Sequence, residues 1–320
     1  MSAAPSIALL FPGQGSQAVG MGKAVRDADP AARGVFETAD RALGFPLSAA
    51  CFEGPEEALR LTATTQPAIL TTSIALLHAL RARLPDLDAR VVCAAGHSLG
   101  EYSALVAAGA VPLDAAVRVV RRRGEYMQEA VPVGDGAMAA VLGAPLPAVE
   151  TMCREAAEGQ VLSPANLNAP DQTVVAGHAA AVRRLPPIAR AHGARRVVEL
   201  PVSAPFHCAL MRPAQEHLAR DLATLPLADA RFPVLPNVTA EPEQGGERFR
   251  RFLEEQVTAP VRWVDTVSRI AALGATTLVE IGPGKVLTGL AKRIAPDLRL
   301  LNVEDPVSID AAVAALGETR

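Results

Sequence analysis

The sequence predicts an α/β protein, with a large domain built on a parallel sheet and a smaller subdomain inserted into it. Three observations carry that expectation. Apolar, strand-like runs at Ser6–Phe11, Val91–Ala95 and Thr276–Ile281 each stop on a glycine-rich turn. Half of the 320 residues are hydrophobic but only 3% are aromatic. The core is therefore Ala, Val, Leu and Ile, which suits helices packed on a parallel sheet. From Gly136 the pattern changes to strand, helix, strand, strand, helix, strand over roughly seventy residues, the ferredoxin-like order.

The first strand, Ser6–Phe11, leads into Pro12-Gly13-Gln14-Gly15-Ser16-Gln17. Residues Gly13–Ala18 satisfy the relaxed dinucleotide pattern G-x-G-x-x-A. A dinucleotide unit also needs a second strand ending in an acidic residue about twenty positions on. Here Ala31–Leu43 has helical spacing instead, so the stretch reads as a turn whose backbone approaches another group. Its Gln14 N–H is a candidate oxyanion donor. After Thr62–Gln66, Pro67 is expected at the first turn of a long apolar helix, where proline's missing N–H does no harm. His78 in that helix reads as a packed or surface side chain.

Val91–Ala95 ends at Gly96-His97-Ser98-Leu99-Gly100, and Glu101 onward reads as a helix. G-x-S-x-G between strand and helix is a nucleophile elbow, which makes the large domain α/β-hydrolase-like. The Ser98 hydroxyl is expected at the mouth of the sheet, beside the positive end of the next helix. The Leu99 N–H is placed to bind an oxyanion, and His97 is expected to face the other side of the turn. Pro112–Met127 follows as an amphipathic helix carrying Arg118, Arg121, Arg122 and Arg123. Such a run is by default a solvated face. One arginine turned towards Ser98 would be a bidentate partner for a carboxylate, and the spacing does not choose among the four.

The inserted subdomain is expected over residues 133–201, leaving 1–132 and 202–320 to the large domain, with a ligand cleft between them. Its elements are GAMAAVLGA (strand), LPAVETMCREAAEG (helix), VLSPANLNA and QTVVAGH (strands), AAAVRRLPPIARAHG (a helix broken near its prolines) and ARRVVELPV (strand). Pro201–Cys208 leads back to the large domain, and His207, flanked by turn residues, is the histidine chosen to pair with Ser98, the rival reading being a structural loop histidine. Cys208 reads as a small buried hydrophobe. Beyond it come a polar loop (Glu241–Gly246), a helix to Gln256, Pro260–Trp263, the strand Thr276–Ile281, and a last strand and helix within Leu298–Leu316. The Gly282-Pro283-Gly284-Lys285 turn lacks the spacing of a P-loop.

A net charge of −3 with scattered cations points away from nucleic acid. Four separated cysteines without a CxxC pair indicate neither zinc nor a disulfide framework, so reduced thiols and a cytoplasmic setting are expected. The stretch MSAAPSIALLF lacks the pattern of a signal peptide. No apolar run approaches the roughly twenty residues of a membrane helix.

Several segments together resemble one family, the malonyl-CoA:acyl carrier protein transacylases and related polyketide acyltransferase domains. They are FPGQGSQ (Phe11–Gln17), TQPA (Thr65–Ala68), GHSLGEYSAL (Gly96–Leu105), Arg122–Gly143, the stretch ending in His207, PVRW (Pro260–Trp263) and IGPGKVL (Ile281–Leu287). The resemblance implies that Ser98 is the acylated nucleophile and His207 its general base, without a carboxylate third member. It implies that Gln14 and Leu99 supply the oxyanion hole and that Arg123 is the arginine holding the malonyl carboxylate. It places Gln66 and Gln256 near the pocket, with the Gln256 main-chain carbonyl orienting His207, and Asn166 and Asn168 at polar positions of the subdomain. Phe206 departs from the small residue common in the bacterial fatty-acid branch. It resembles malonyl-selective polyketide acyltransferases, where a bulky ring crowds a 2-methyl substituent.

The implied function is transfer of malonyl from malonyl-CoA to the phosphopantetheine thiol of an acyl carrier protein, in fatty-acid or polyketide synthesis. No metal or resident cofactor is expected, and the chain is expected to be a monomer with no nucleic-acid or membrane partner. The rival reading is a serine hydrolase using the same pair with water. An oxidoreductase would rest on GQGSQA alone, and a non-catalytic malonyl-binding module would not need Ser98.

Overall fold

A computed structural model of the protein describes residues 6–202 and 204–317. Residues 1–5, read above as lacking a leader pattern, Ser203 in the stretch returning to the large domain, and 318–320 lie outside the described residues. Among the described residues the strands are β1 (Ile7–Phe11), β2 (Val91–Gly96), β3 (Gly136–Leu142), β4 (Leu162–Ala169), β5 (Gln172–His178), β6 (Arg196–Glu199), β7 (Val234–Leu235), β8 (Thr277–Ile281) and β9 (Arg299–Val303).

One sheet has five strands in the order β7-β2-β1-β8-β9, and every neighbouring pair is parallel. Its middle strands are apolar on both faces because both faces are covered. In β1, Ile7, Leu9 and Phe11 enter one hydrophobic cluster, while Ala8 and Leu10 enter another on the opposite side. Pairing of Phe11 with Gly96 brings the carboxyl ends of β1 and β2 level. The Pro12–Gln17 turn and the Gly96–Gly100 turn therefore emerge side by side, at the sheet edge where parallel sheets bind ligands.

The helices Pro30–Leu43, Thr62–Arg83 and Leu113–Glu129 pack into the larger cluster. Thr62–Arg83 is buried on all sides along most of its length, as a central core helix must be. It starts five residues before Pro67, against the expectation from sequence, and Pro67 sits in its second turn. The Thr64 and Thr65 N–H groups already donate to Leu61 C=O, closing the first turn. Pro67 has no N–H for the Ala63 carbonyl, and Arg121 Nη1 from the neighbouring helix donates to that oxygen instead, at 3.3 Å.

The second sheet has four strands in the order β4-β5-β3-β6, all antiparallel. The helices Leu146–Ala157 and Ala179–Ala191 cover it around a separate core that includes Val141, Val149, Met152, Val175 and Leu185. Ala179–Ala191 runs unbroken through Pro186 and Pro187, which corrects the sequence expectation. Burial of Ala181, Val182, Leu185 and Ala189 along one face holds the helix together where the prolines withdraw two hydrogen bonds.

The second sheet is tied by backbone to the segment that precedes Trp263. Val261 N–H donates to Ala165 C=O and Leu167 N–H donates to Val261 C=O, both at 2.9 Å. Trp263, the single tryptophan, is fully buried beside this joint. Helices at Arg212–Thr224 and Trp263–Ala272, and the two-residue β7, are elements that the sequence patterns did not mark. No described helix is long and apolar enough to cross a membrane.

Candidate active site

Ser98 sits between β2 and the helix Gly100–Ala107 with φ 51°, in the left-handed region that a serine rarely enters. Strain of this kind costs about 1–3 kcal/mol and persists only where the surroundings enforce it. They do. A side chain at Gly96 would lie 1.9 Å from Gly100 C=O, and one at Gly100 would lie 2.0 Å from the Phe11 carbonyl oxygen. Strand, turn and helix can meet this closely only with glycine at both places. Asn237 Oδ1 accepts the Ser98 N–H at 2.7 Å, and Asn237 Nδ2 donates to Gly96 C=O at 2.7 Å.

The serine hydroxyl has two partners. It donates to His207 Nε2 at 2.7 Å and accepts from Arg123 Nη2 at 3.1 Å. His207 is buried, with φ 60°, and its Nδ1–H donates to the Gln256 main-chain carbonyl at 2.9 Å. A carbonyl can only accept, so the proton is on Nδ1 and the Nε2 lone pair faces Ser98. Burial, and then the Arg123 charge, push the His207 imidazole down to about 3, so it stands neutral and ready to accept a proton.

Arg123 is the inward arginine of the run. Arg118 pairs with Asp114, Arg121 with Glu125 and Arg122 with Asp221, away from Ser98. Arg123 is 1% exposed and donates to Gln66 Oε1 at 2.7 Å and to Gln256 Oε1 at 2.9 Å. Gly124 allows this, since a side chain there would lie 2.7 Å from Ala63 Cα and the Thr62 carbonyl oxygen. The two helices thus touch at the level of Gln66. Among the described residues the guanidinium has no direct carboxylate partner. Its anion-binding face is left to neutral oxygens.

A cavity of about 120 Å³ joins these groups, lined by Gln14, Gln66, His97, Ser98, Leu99 and Arg123 on its polar side. Met127, Met138, Leu200, Val202 and Phe206 line its apolar side, with Asn166 and His207 also at the wall. The N–H groups of Gln14 and Leu99 have no acceptor among the described residues. Gln14, Gln66, Ser98, Leu99, Arg123, Phe206 and His207, all named from sequence, line this cavity, while Gln256 stands behind it, bonded to Arg123 and His207.

His97 departs from expectation: it lines the same cavity and donates from Nε2 to Asn168 Oδ1 at 2.8 Å, held by the buried Trp263 ring 5.5 Å away. Cys208, next to the histidine, donates through Sγ to Pro205 C=O at 3.1 Å, and burial pushes its thiol up to about 11.

Two residues were missed from sequence, Asn237 and Glu101. Glu101 is fully buried, and its Oε2 accepts from Gln256 Nε2 at 2.7 Å and from Asn237 N–H at 2.8 Å. No local motif marks Asn237, because its partner is 139 residues away in sequence.

A strained serine, a neutral imidazole and two free N–H groups form the constellation of an acyl-transferring enzyme. The family described as acyl transferase domain matches residues 8–299, and the chain belongs to that family. Within it, the chain is 46% identical over 315 residues to the malonyl CoA-acyl carrier protein transacylase of Bacillus subtilis (strain 168), covering 98% of each. The solved malonyl CoA-acyl carrier protein transacylase of Coxiella burnetii superposes with a TM-score of 0.95 at 41% identity, covering 99% of this chain and 100% of that one. A solved complex of a type II PKS acyl-carrier protein with its malonyl-transacylase superposes at 0.92 and 44% identity, over 97% and 99% of the two chains.

Proposed function

We propose that this chain transfers malonyl from malonyl-CoA to the phosphopantetheine thiol of an acyl carrier protein through an ester on Ser98. One observation carries the reading: a single hydroxyl held between a neutral imidazole at 2.7 Å and a buried guanidinium at 3.1 Å. His207 Nε2 takes the Ser98 proton as Oγ attacks the thioester carbonyl. The oxyanion is received by the Gln14 and Leu99 N–H groups, where one donor is worth about a hundredfold or more in rate. The C–S bond breaks and His207 returns the proton to the departing coenzyme A sulfur. The carrier thiol then runs the same steps in reverse, a ping-pong cycle on a Ser-His dyad.

Arg123 binds the free carboxylate of the malonyl group, exchanging the neutral oxygens of Gln66 and Gln256 for a charged partner. An acyl group without that carboxylate leaves the buried cation unmatched, a loss of about 2–4 kcal/mol. Phe206, 8% exposed at the cavity wall, narrows the space beside C2 of the acyl chain. It favours malonyl over methylmalonyl, and Phe206→Ser should raise use of methylmalonyl-CoA; an unchanged preference contradicts this role. The hydrolase reading draws no support from the histidine, whose Nδ1 meets a backbone carbonyl and no carboxylate.

The strand order β4-β5-β3-β6 supports a ferredoxin-like subdomain over 133–201, inserted in an α/β-hydrolase-like domain of 1–132 and 202–320. We assign the chain no resident cofactor and a monomeric state, and its four free, buried cysteines fit a reducing, cytoplasmic setting. Treatment with malonyl-CoA followed by peptide mass spectrometry should place the adduct on Ser98. An adduct at another residue, or none, refutes the assignment.

A further inference from the structure

Among the described residues Arg123 is a buried cation without a direct anion, yet a buried charge needs compensation. The nearest carboxylate is Glu101, one amide away. Gln256 stands between them: its Oε1 accepts from Arg123 Nη2 at 2.9 Å and its Nε2 donates to Glu101 Oε2 at 2.7 Å. All three side chains are at most 1% exposed. The same Gln256 Nε2 reaches Ser98 C=O at 3.1 Å, and its main-chain carbonyl orients His207. Glu101 Oε2 also accepts the Asn237 N–H, and Asn237 holds the strained Ser98 turn. The other carboxylate oxygen, Oε1, is buried without a partner, so the bonds formed do not account for keeping a charge here.

We propose that Glu101 is a positioning residue and the internal counter-ion of Arg123, relayed through the Gln256 amide and set against the malonyl carboxylate for the same positive charge. With malonyl absent, Glu101 balances Arg123 at one remove and locks the Gln256 amide with its oxygen towards the guanidinium. When the malonyl carboxylate arrives, the site holds two anions and one cation, and Glu101 becomes the one that gives up its charge by taking a proton. The titratable groups facing Glu101 are Arg123 and Tyr102, with His207 behind Gln256. Burial already lifts the Glu101 carboxyl to about 7, so a second anion nearby suffices to protonate it near neutral pH.

This inference rests on the malonyl-transfer reading, and one calorimetric experiment separates the two. Binding of malonyl-CoA and acetyl-CoA is measured near pH 7 to the Ser98→Ala chain and to Ser98→Ala/Glu101→Gln, in buffers of differing ionisation heat. A glutamine can keep its oxygen where Oε2 stands, so both acceptor contacts survive and only the charge is lost. Malonyl-CoA should bind the double variant more tightly, about twofold at pH 7 and on the order of tenfold when the titration is repeated at pH 8, with acetyl-CoA unchanged. Ser98→Ala alone should take up part of a proton with malonyl-CoA and none with acetyl-CoA, a readout that stands even if the double variant does not fold. Equal effects on both thioesters, or no proton uptake, overturn the counter-ion role. Failure of Ser98→Ala to bind malonyl-CoA at all overturns the functional reading first.

Discussion

The protonation state of His207 follows from its neighbours. Its Nδ1–H is committed to the Gln256 carbonyl, and burial beside Arg123 lowers its basicity to about 3. A depressed pKa means that the folded chain binds fewer protons than the unfolded one between about 3 and the ordinary 6.5. The free base is therefore already in place throughout the neutral range. Single-turnover acylation at saturating malonyl-CoA should show no acid limb near pH 6.5, with any loss of His207 function displaced well below pH 5. A limb at 6.5 would show an ordinary imidazole. Arg123 makes a separate prediction. Arg123→Ala should cut malonyl transfer on the order of a hundredfold or more and change acetyl transfer far less, because only the former loses its charged partner. Equal losses measured with the two thioesters would remove the selecting role.

Between elements, the second sheet is held to the large domain by apolar packing of Met138, Ala140, Ala165, Val174 and Ala176 and by backbone at one segment. The segment at Val261 exchanges two backbone hydrogen bonds with β4, at Ala165 and Leu167, and Asn166 between them reaches the cavity wall. Val261→Pro removes the donor to Ala165 and should cost about 1–3 kcal/mol, seen as a lower urea midpoint. Trp263 fluorescence reports this joint, while far-ultraviolet circular dichroism reports all the helices. The two transitions should coincide in the natural chain and separate in the variant; coincidence in both would mean that the joint is not a weak seam. Pro67 shows how such contacts escape sequence rules. Its position suggested a helix start, but the carbonyl it orphans is met by Arg121, a residue 58 positions away.

Across the whole molecule, legibility tracked sequence distance. Ser98, Leu99 and the Gln14 turn could be read because strand, glycines and helix are contiguous, so local geometry already dictates where the hydroxyl and N–H groups face. The parallel and antiparallel sheets were readable for the same reason, as each apolar run carries its own period. Arg123 could not be separated from its neighbours by spacing: the choice depends on Gly124 admitting another helix, and the resemblance supplied it. The Gln256 side chain, Glu101 and Asn237 were out of reach, because their bonds close over 133, 155 and 136 residues. A polar network in a core is a property of the assembled fold, and a pattern scan sees only its separate members.

The four cysteines bear on the purity of the reaction. Cys51, Cys93 and Cys153 are pushed up to about 12, and Cys208 up to about 11, all by burial. The thiolate is the nucleophile that captures an acyl group from a thioester. At neutral pH this chain therefore carries almost no sulfur able to compete with an incoming thiol, even at Cys208 beside the base. On the proposed cycle, burial of these thiols disfavours side exchange onto the enzyme and leaves the Ser98 hydroxyl as the acyl acceptor.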